Sequence, residues 1–304
     1  MKLGIDLGGT KIEIIALDES GKTLLRHRTA TPDDDYQAII KCITQLVVDA
    51  ETKLKQSGTV GICTPGSLSP QGSPNSGLLR NSNSVCLNGQ PFKSDLENAL
   101  NRHIAIANDA NCFALSEATD GAGKGANVVF GVIIGTGTGA GIVINGKVLT
   151  GANAIAGEWG HNPLPWVKDD ELPGQDCYCG KKGCIETWLS GAGFARNYNL
   201  KTELNESQAF TAEQIVKKAQ QGDVNCENTL QLYEDRMARG LSHIINILDP
   251  DVIVLGGGMS NISRLYTNVP KLWRKYIFSD YISTRLVPPK HGDSSGVRGA
   301  AWLD

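Results

Sequence analysis

The stretch Lys2-Leu-Gly-Ile-Asp-Leu-Gly-Gly-Thr-Lys-Ile-Glu-Ile-Ile-Ala-Leu17 decides how the rest of this 304-residue chain is read. Lys2–Ile5 reads as a short strand and Ile12–Leu17 as a second apolar strand. Between them, Asp6-Leu-Gly-Gly-Thr-Lys11 makes a turn of mostly small residues. Such a turn exposes backbone N–H groups that can bind phosphate oxygens. Thr10 adds a hydroxyl donor, and Asp6 can hold the water shell of Mg²⁺. The spacing is not that of a Walker A loop, and a strand, not the helix of a dinucleotide fingerprint, follows. Taken alone, the segment reads first as an ordinary hairpin turn.

A second turn changes that reading. Asn127–Ile134 is a strand into Gly135-Thr-Gly-Thr-Gly139, and Ala140–Ile144 is the next strand. Strand, Gly/Thr turn and strand therefore occur twice, as a weak internal repeat. The repeat predicts two related domains, with the Thr136 and Thr138 hydroxyls and backbone donors of the second turn facing the same polyphosphate as the first. Gly256-Gly-Gly258, after a strand at Val252–Leu255, is a third glycine turn. It would let a flat ring such as adenine approach the backbone, or it is a tight strand-to-helix turn.

Between the repeats, Glu19-Ser-Gly-Lys22 is a hairpin turn leading into a strand at Thr23–Thr29. Tyr36–Lys55 has helical spacing, with Ile39, Ile43, Leu46, Val47 and Ala50 on one face. Thr59–Cys63 is a strand of buried type ending at Thr64-Pro-Gly66, and Ser67–Asn88 reads as an ordered loop. A helix at Phe92–Leu100 and a strand at Ile104–Ala107 deliver Asn108-Asp109-Ala-Asn111, with a helix at Cys112–Thr119. Helices follow at Ala212–Gln221 and Cys226–Leu248, and a closing helix at Ser295–Leu303. A carboxylate at Asp109 can serve as a general base, or it can cap the helix that follows. The amide of Asn108 and the segment Gly157-Glu-Trp-Gly-His161 offer the paired donors and acceptors that a sugar requires.

Eight cysteines are present. Cys42, Cys63, Cys86, Cys112 and Cys226 are scattered and read as buried thiols. Cys177, Cys179 and Cys184 cluster, with His161 upstream and Gly180 and Gly183 in the turn. Three thiolates and an imidazole would form a closed tetrahedral Zn²⁺ site, structural because no position is open. If one His161 ring nitrogen binds zinc, the other is free for a sugar hydroxyl.

Composition excludes several classes. Hydrophobic residues make up 40% and charged residues 20%, with net charge -3 and no basic block interleaved with aromatics, so nucleic acid is not the expected partner. Val128–Ile134 and Ile244–Leu248 are too short to span a bilayer, so no membrane role is expected. Met1 is not followed by a signal-peptide pattern, and a cytoplasmic protein is expected.

Together, Asp6-Leu-Gly-Gly-Thr-Lys11, Asn108-Asp-Ala-Asn111, Ile134-Gly-Thr-Gly137, Gly157-Glu-Trp-Gly-His161, Cys177-Tyr-Cys-Gly-Lys-Lys-Gly-Cys-Ile-Glu186 and Gly256-Gly-Gly258 resemble the ROK family (repressors, open reading frames, kinases), in order from residue 4 to about residue 301. The resemblance implies an α/β, actin/hexokinase-like (ribonuclease H-like) ATPase fold, its two domains flanking a central cleft. The expected boundaries are 1–118, completed by a closing helix at about 294–304, and 119–293 with the zinc motif. An ATP-dependent sugar kinase follows, with Mg²⁺ and structural Zn²⁺ as cofactors, and a homodimer by family analogy.

The resemblance assigns Asp109 as base and Gly66, Asn83, Asn108, Asp109, Glu158, His161 and Glu186 as sugar contacts. Nucleotide binding falls to Gly4, Ile5, Asp6, Leu7, Gly8, Gly9, Thr10 and Lys11, to Ile133, Ile134, Gly135, Thr136, Gly137, Thr138, Gly139 and Ala140, and to Gly256, Gly257 and Gly258. Asp6 is assigned to Mg²⁺ through water, and His161, Cys177, Cys179 and Cys184 to zinc.

Within the family, Asn81-Ser-Asn-Ser84, Leu87-Asn-Gly-Gln-Pro-Phe92, the run from Gly157 to Trp166 and the run from His291 to Ala301 are similar to the bacterial fructokinase (manno(fructo)kinase) branch. The expected reaction is transfer of the ATP γ-phosphate to the 6-hydroxyl of D-fructose, with mannose and glucose as further hexoses. The N-acetylglucosamine kinase branch is a near relative that usually has Phe where Trp159 stands, and a glucokinase is a further alternative. The rival classes are a DNA-binding repressor and a non-catalytic sugar sensor. A repressor would need a winged helix ahead of the first turn, which starts at Asp6, and a sensor would be expected to lose the base or a turn.

Overall fold

The computed structural model describes residues 1–303 except Asn83, Glu203 and Asn205. The chain forms two units, one of residues 1–125, 141–156 and 290–304, the other of residues 126–140 and 157–289.

In the first unit, β1 (Lys2–Leu7) and β2 (Lys11–Leu17) form the hairpin around the first turn, with Asp6 opposite Glu13. β3 (Thr23–Ala30) continues the meander, α1 spans Tyr36–Leu54, and β4 (Thr59–Thr64) pairs with β1 in parallel. The segment expected to be a loop over 67–88 contains a small hairpin, β5 (Ser67–Leu68) with β6 (Leu79–Arg80). α2 (Phe92–Leu100), β7 (Ile104–Asn108) and α3 (Asp109–Thr119) follow. The sheet order is β3-β2-β1-β4-β7.

Alternation along β1 sets both faces of this sheet. Leu3, Ile5 and Leu7 are buried in one core with Ile39, Ile43 and Val47 of α1 and Phe92 and Leu96 of α2. On the opposite face, Gly4 of β1 and Gly61 of β4 are register partners. A Cβ on Gly4 would lie 2.2 Å from the Val297 carbonyl oxygen, and one on Gly61 1.9 Å from that of Ala300. The pair forms a floor without side chains for the C-terminal helix, which also crosses α3 closely at Gly299, 1.7 Å from the Cys112 carbonyl oxygen by the same measure.

The second sheet is built on β8 (Val128–Ile134) and β9 (Thr138–Ile144), which flank the second turn, and β10 (Lys147–Val148) pairs with β9. The chain then runs through irregular segments to α4 (Ile185–Leu189), α5 (Gly191–Lys201), α6 (Ala212–Gln220) and α7 (Val224–Leu248). β11 (Val252–Gly256), α8 (Leu265–Leu272) and β12 (Arg285–Val287) complete it, and the C-terminal α9 (Ser295–Ala301) belongs to the first unit. The second sheet has the order β10-β9-β8-β11-β12. In both sheets an antiparallel hairpin is extended by two parallel strands. The weak sequence repeat is thus a repeat of topology. β11 is buried along its whole length, as its unbroken apolar run requires of a strand covered on both faces.

A charge network ties the irregular segment to α7. Glu171 (3% exposed) and Arg239 (0%) are paired at 2.6 and 2.8 Å, and Arg236 adds a bond of 2.9 Å. Arg239 also donates to the carbonyls of Pro165 and Trp166. Burial alone would raise the Glu171 carboxyl, but Arg239, Arg236 and the Lys168 N–H outweigh it and hold it at about 2. Among the described residues, no helix is long and apolar enough to cross a membrane.

Candidate active site and metal centre

In the first unit the Asp6–Lys11 turn is closed by the Gly8 N–H to the Lys11 carbonyl, at 3.0 Å. Thr31, which the sequence did not mark, braces it: its hydroxyl donates to the Gly8 carbonyl at 2.7 Å and its N–H to that of Thr10 at 3.1 Å. The exposed rim is Gly9, Thr10 and Lys11. Gly4, Ile5 and Leu7 lie buried in the strand, and Gly4 is held to glycine by α9. Gly66, at φ 85, is needed where its backbone passes Arg80, since a Cβ would lie 2.3 Å from the Arg80 carbonyl oxygen. Asn83 lies outside the described residues.

Asp109 is the first residue of α3, so the helix begins earlier than the expected Cys112. The cap is Asn108, whose Oδ1 accepts from the Asn111 N–H at 2.8 Å. Asp109 is therefore not the cap. Its Oδ1 accepts from the Ala110 N–H at 2.8 Å, and the residue remains open to solvent. Solvent access and desolvation coexist here: water reaches the residue, but dense protein around it raises the carboxyl above the usual Asp value against the pull of the Ala110 N–H. Asp6 is likewise raised, first by burial, with a hydrogen bond from Cys63 opposing and the negative charge of Asp109 reinforcing it. The two carboxylates thus feel each other.

In the second unit several sequence motifs converge on the Gly135–Gly139 turn. The Gly135 N–H closes it onto the Gly137 carbonyl at 2.9 Å, and Gly191 donates to the Gly135 carbonyl at 2.8 Å. The Thr138 N–H donates to Glu186 Oε2 at 2.9 Å. Gly257, at φ 77, passes so close to the end of β8 that a Cβ would lie 2.4 Å from the Ile134 carbonyl oxygen. Gly160 lies against Thr138, with 2.1 Å for a Cβ to its carbonyl oxygen. The Gly256–Gly258 turn, the Trp159–His161 turn and Glu186 therefore all touch this loop or its flanking residues. The Thr138 hydroxyl is buried with no partner among the described residues, as expected of a donor waiting for a ligand. Ile134 and Ala140 are buried strand residues that carry the turn.

His161 follows Trp159, which is 3% exposed and lies edge-on to Phe130 at 5.9 Å. Gly240 makes room for the indole: a Cβ there would lie 2.9 Å from a ring carbon. The ligand atoms of His161, Cys177, Cys179 and Cys184 all lie within 4.8 Å of one another. His161 Nδ1 is 3.5 Å from Cys177 Sγ, and Cys179 Sγ is 3.6 Å from Cys184 Sγ. Gly180 and Gly183 have φ 84 and 68, as the turn requires. Burial, then the neighbouring thiols, push Cys184 up to about 12. A divalent cation would relieve that crowding, so the donor set fits a metal. The second His161 nitrogen is not free: Nε2 is 2.8 Å from the Tyr178 hydroxyl.

The ROK family model matches residues 2–304. The chain is 39% identical to an N-acetyl-D-glucosamine kinase of Vibrio cholerae serotype O1, covering 100% of this chain and 99% of that one. It is similar in structure to a ROK hexokinase from Thermus thermophilus, with 28% identity, a TM-score of 0.86 and coverage of 99% and 97%. A ROK family glucokinase from Streptomyces griseus, solved with glucose and AMPPNP, matches at 26% identity and a TM-score of 0.72, with coverage of 99% and 97%. The kinase relative carries N-acetyl-D-glucosamine in its name, so it supports the alternative branch and not the expected fructokinase. Full-length agreement in both sequence and fold makes this chain an actin/hexokinase-like sugar kinase of the ROK family.

Proposed function

We propose that the chain transfers the γ-phosphoryl group of ATP to the 6-hydroxyl of a hexose, with Asp109 as general base. The observation that carries this reading is the state of Asp109: solvent-open, freed from capping by Asn108, and raised by burial above the ordinary Asp value, which makes it a stronger base. A base works best when its pKa approaches the operating pH, and contributes about 10²–10⁴-fold. Ala110 holds Oδ1, which orients the carboxylate and leaves Oδ2 to accept the proton of the attacking hydroxyl. Each Gly/Thr turn offers donors suited to phosphate oxygens: the exposed rim in the first unit, and the Thr136 and Thr138 groups in the second. Mg²⁺, bound with ATP, supplies charge neutralisation, and Asp6 is the residue to hold its water shell.

N-acetyl-D-glucosamine is the first hexose to test, because the relative of the highest identity quoted above carries it in its name. D-fructose is the second reading. It rests on the fructokinase-like segments and on Trp159, whose larger indole is matched by a glycine at 240. One hydroxyl or methylene shifts discrimination by only ~1–3 kcal/mol, so few residues separate the two. A coupled assay of ADP release over N-acetylglucosamine, fructose, mannose and glucose tests both. Zinc is the proposed occupant of the sulfur and nitrogen set, with a structural role because every position is filled by protein.

A further inference from the structure

The two ring nitrogens of His161 keep different company. Nδ1 faces the thiol cluster, 3.5 Å from Cys177 Sγ. Nε2 meets the Tyr178 hydroxyl at 2.8 Å, with the rings edge-on, 4.9 Å apart at 89°. Tyr178 is otherwise 83% exposed. A metal held on Nδ1 would leave the imidazole proton on Nε2, which would then donate to the tyrosine oxygen.

The surroundings of that hydroxyl are specific. The negative charges of Glu186 and Glu158 both bear on it. Glu158, His161 and Glu186 are the second unit's candidate sugar contacts, and the tyrosine hydroxyl is bonded to one of them, His161. A phenol hydroxyl, like a sugar hydroxyl, is a donor and an acceptor at once, suited to an imidazole N–H and a carboxylate. The backbone of Tyr178 is held between Cys177 and Cys179, but its exposed ring has open solvent to turn into.

We propose that Tyr178 is a specificity-determining residue of the sugar site: in the sugar-free protein its hydroxyl holds the place on His161 Nε2 that a hexose hydroxyl takes, and the ring swings out when the hexose binds. The inference rests on reading Glu158, His161 and Glu186 as sugar contacts. The displaced bond works against sugar binding, so its cost falls on a hexose whose hydroxyl takes that place and not on one that lacks it.

The test is Tyr178→Phe, which keeps the ring and removes the hydroxyl, measured by calorimetric hexose titration without nucleotide and by steady-state kinetics. The account expects hexose Kd and KM to fall about 2–10-fold, the worth of one hydrogen bond, with kcat unchanged. The gain should vanish for the one deoxy-hexose in a series that lacks the hydroxyl held by His161. Zinc content should match that of the parent protein. An unchanged or higher Kd overturns the inference, as does loss of zinc, which would make the tyrosine a support for the metal ligand. Glu158→Gln separates the failures. If it weakens hexose binding while Tyr178→Phe does not strengthen it, the inference alone fails; if it has no effect, the reading of the sugar contacts fails and the inference with it.

Discussion

Arg239→Met is the substitution whose consequences can be worked furthest. It removes a guanidinium that is fully buried against Glu171 and that also holds the carbonyls of Pro165 and Trp166. Breaking one partner out of a buried pair costs about 3–5 kcal/mol, because the other charge stays desolvated. A second route gives a similar figure. A Glu171 carboxyl held at about 2 instead of its ordinary 4.5 contributes about 3 kcal/mol of stability near neutral pH. The sign follows from the depressed pKa: this stability is complete above 4.5 and is lost as pH falls towards 2. The assay is urea unfolding of the parent and the variant at neutral pH and near pH 3. The variant should lose about 3–5 kcal/mol at neutral pH and much less near pH 3, where the parent has already lost part of the pair. Equal stability at neutral pH, or an equal loss at both pH values, would refute the reasoning.

Other consequences are simpler. Asp109→Asn should lower kcat about 10²–10⁴-fold while calorimetry still finds the hexose bound, and a variant keeping most of its kcat removes Asp109 as base. Because Asp109 is raised, the acidic limb of the kcat/KM profile should lie above the usual Asp range, with activity lost as pH falls through it. A limb near 3.8, the ordinary Asp value, contradicts that environment. Purified protein should carry about one zinc per chain by elemental analysis, and chelation should lower its melting temperature. Gly299→Ala places a methyl 1.7 Å from the Cys112 carbonyl oxygen and should cost about 1–3 kcal/mol in thermal unfolding, whereas Gly9→Ala, with nothing within 4 Å, should be close to neutral.

How far the sequence could be read depended on what each signal measures. The paired Gly/Thr turns foretold the two sheets because strand, turn and strand is a local pattern, and α1 was visible because Ile39, Ile43 and Val47 recur at helical spacing. α4, α5 and α8 were not expected. α4 is only Ile185–Leu189, α5 is Gly191–Lys201 with glycines in its first turn, and α8 carries Pro270. They are stabilised by packing that local propensity does not reveal. The β5/β6 hairpin was hidden in a Ser-, Asn- and Gly-rich segment with strands of two residues. At the site, residue types singled out His161, Cys177, Cys179 and Cys184, whose ligand atoms the fold brings together, and Asp109 as a candidate base. What they could not announce was partnership. Thr31 bracing the first turn, Asn108 taking the cap from Asp109, and Tyr178 occupying His161 all depend on side-chain directions. Gly4 and Gly61 could have been found, since glycine inside two apolar strands signals a close backbone approach.

ATP-dependent phosphorylation of a hexose through Asp109 is read by hexose-dependent ADP release, measured in parallel for the parent protein and Asp109→Asn across N-acetylglucosamine, fructose, mannose and glucose. The parent protein should turn over, fastest with N-acetylglucosamine or, on the second reading, with fructose, and the variant should be at least ~10²-fold slower with every hexose. Absence of hexose-dependent ADP release from zinc-loaded parent protein, or equal turnover by Asp109→Asn, would contradict it.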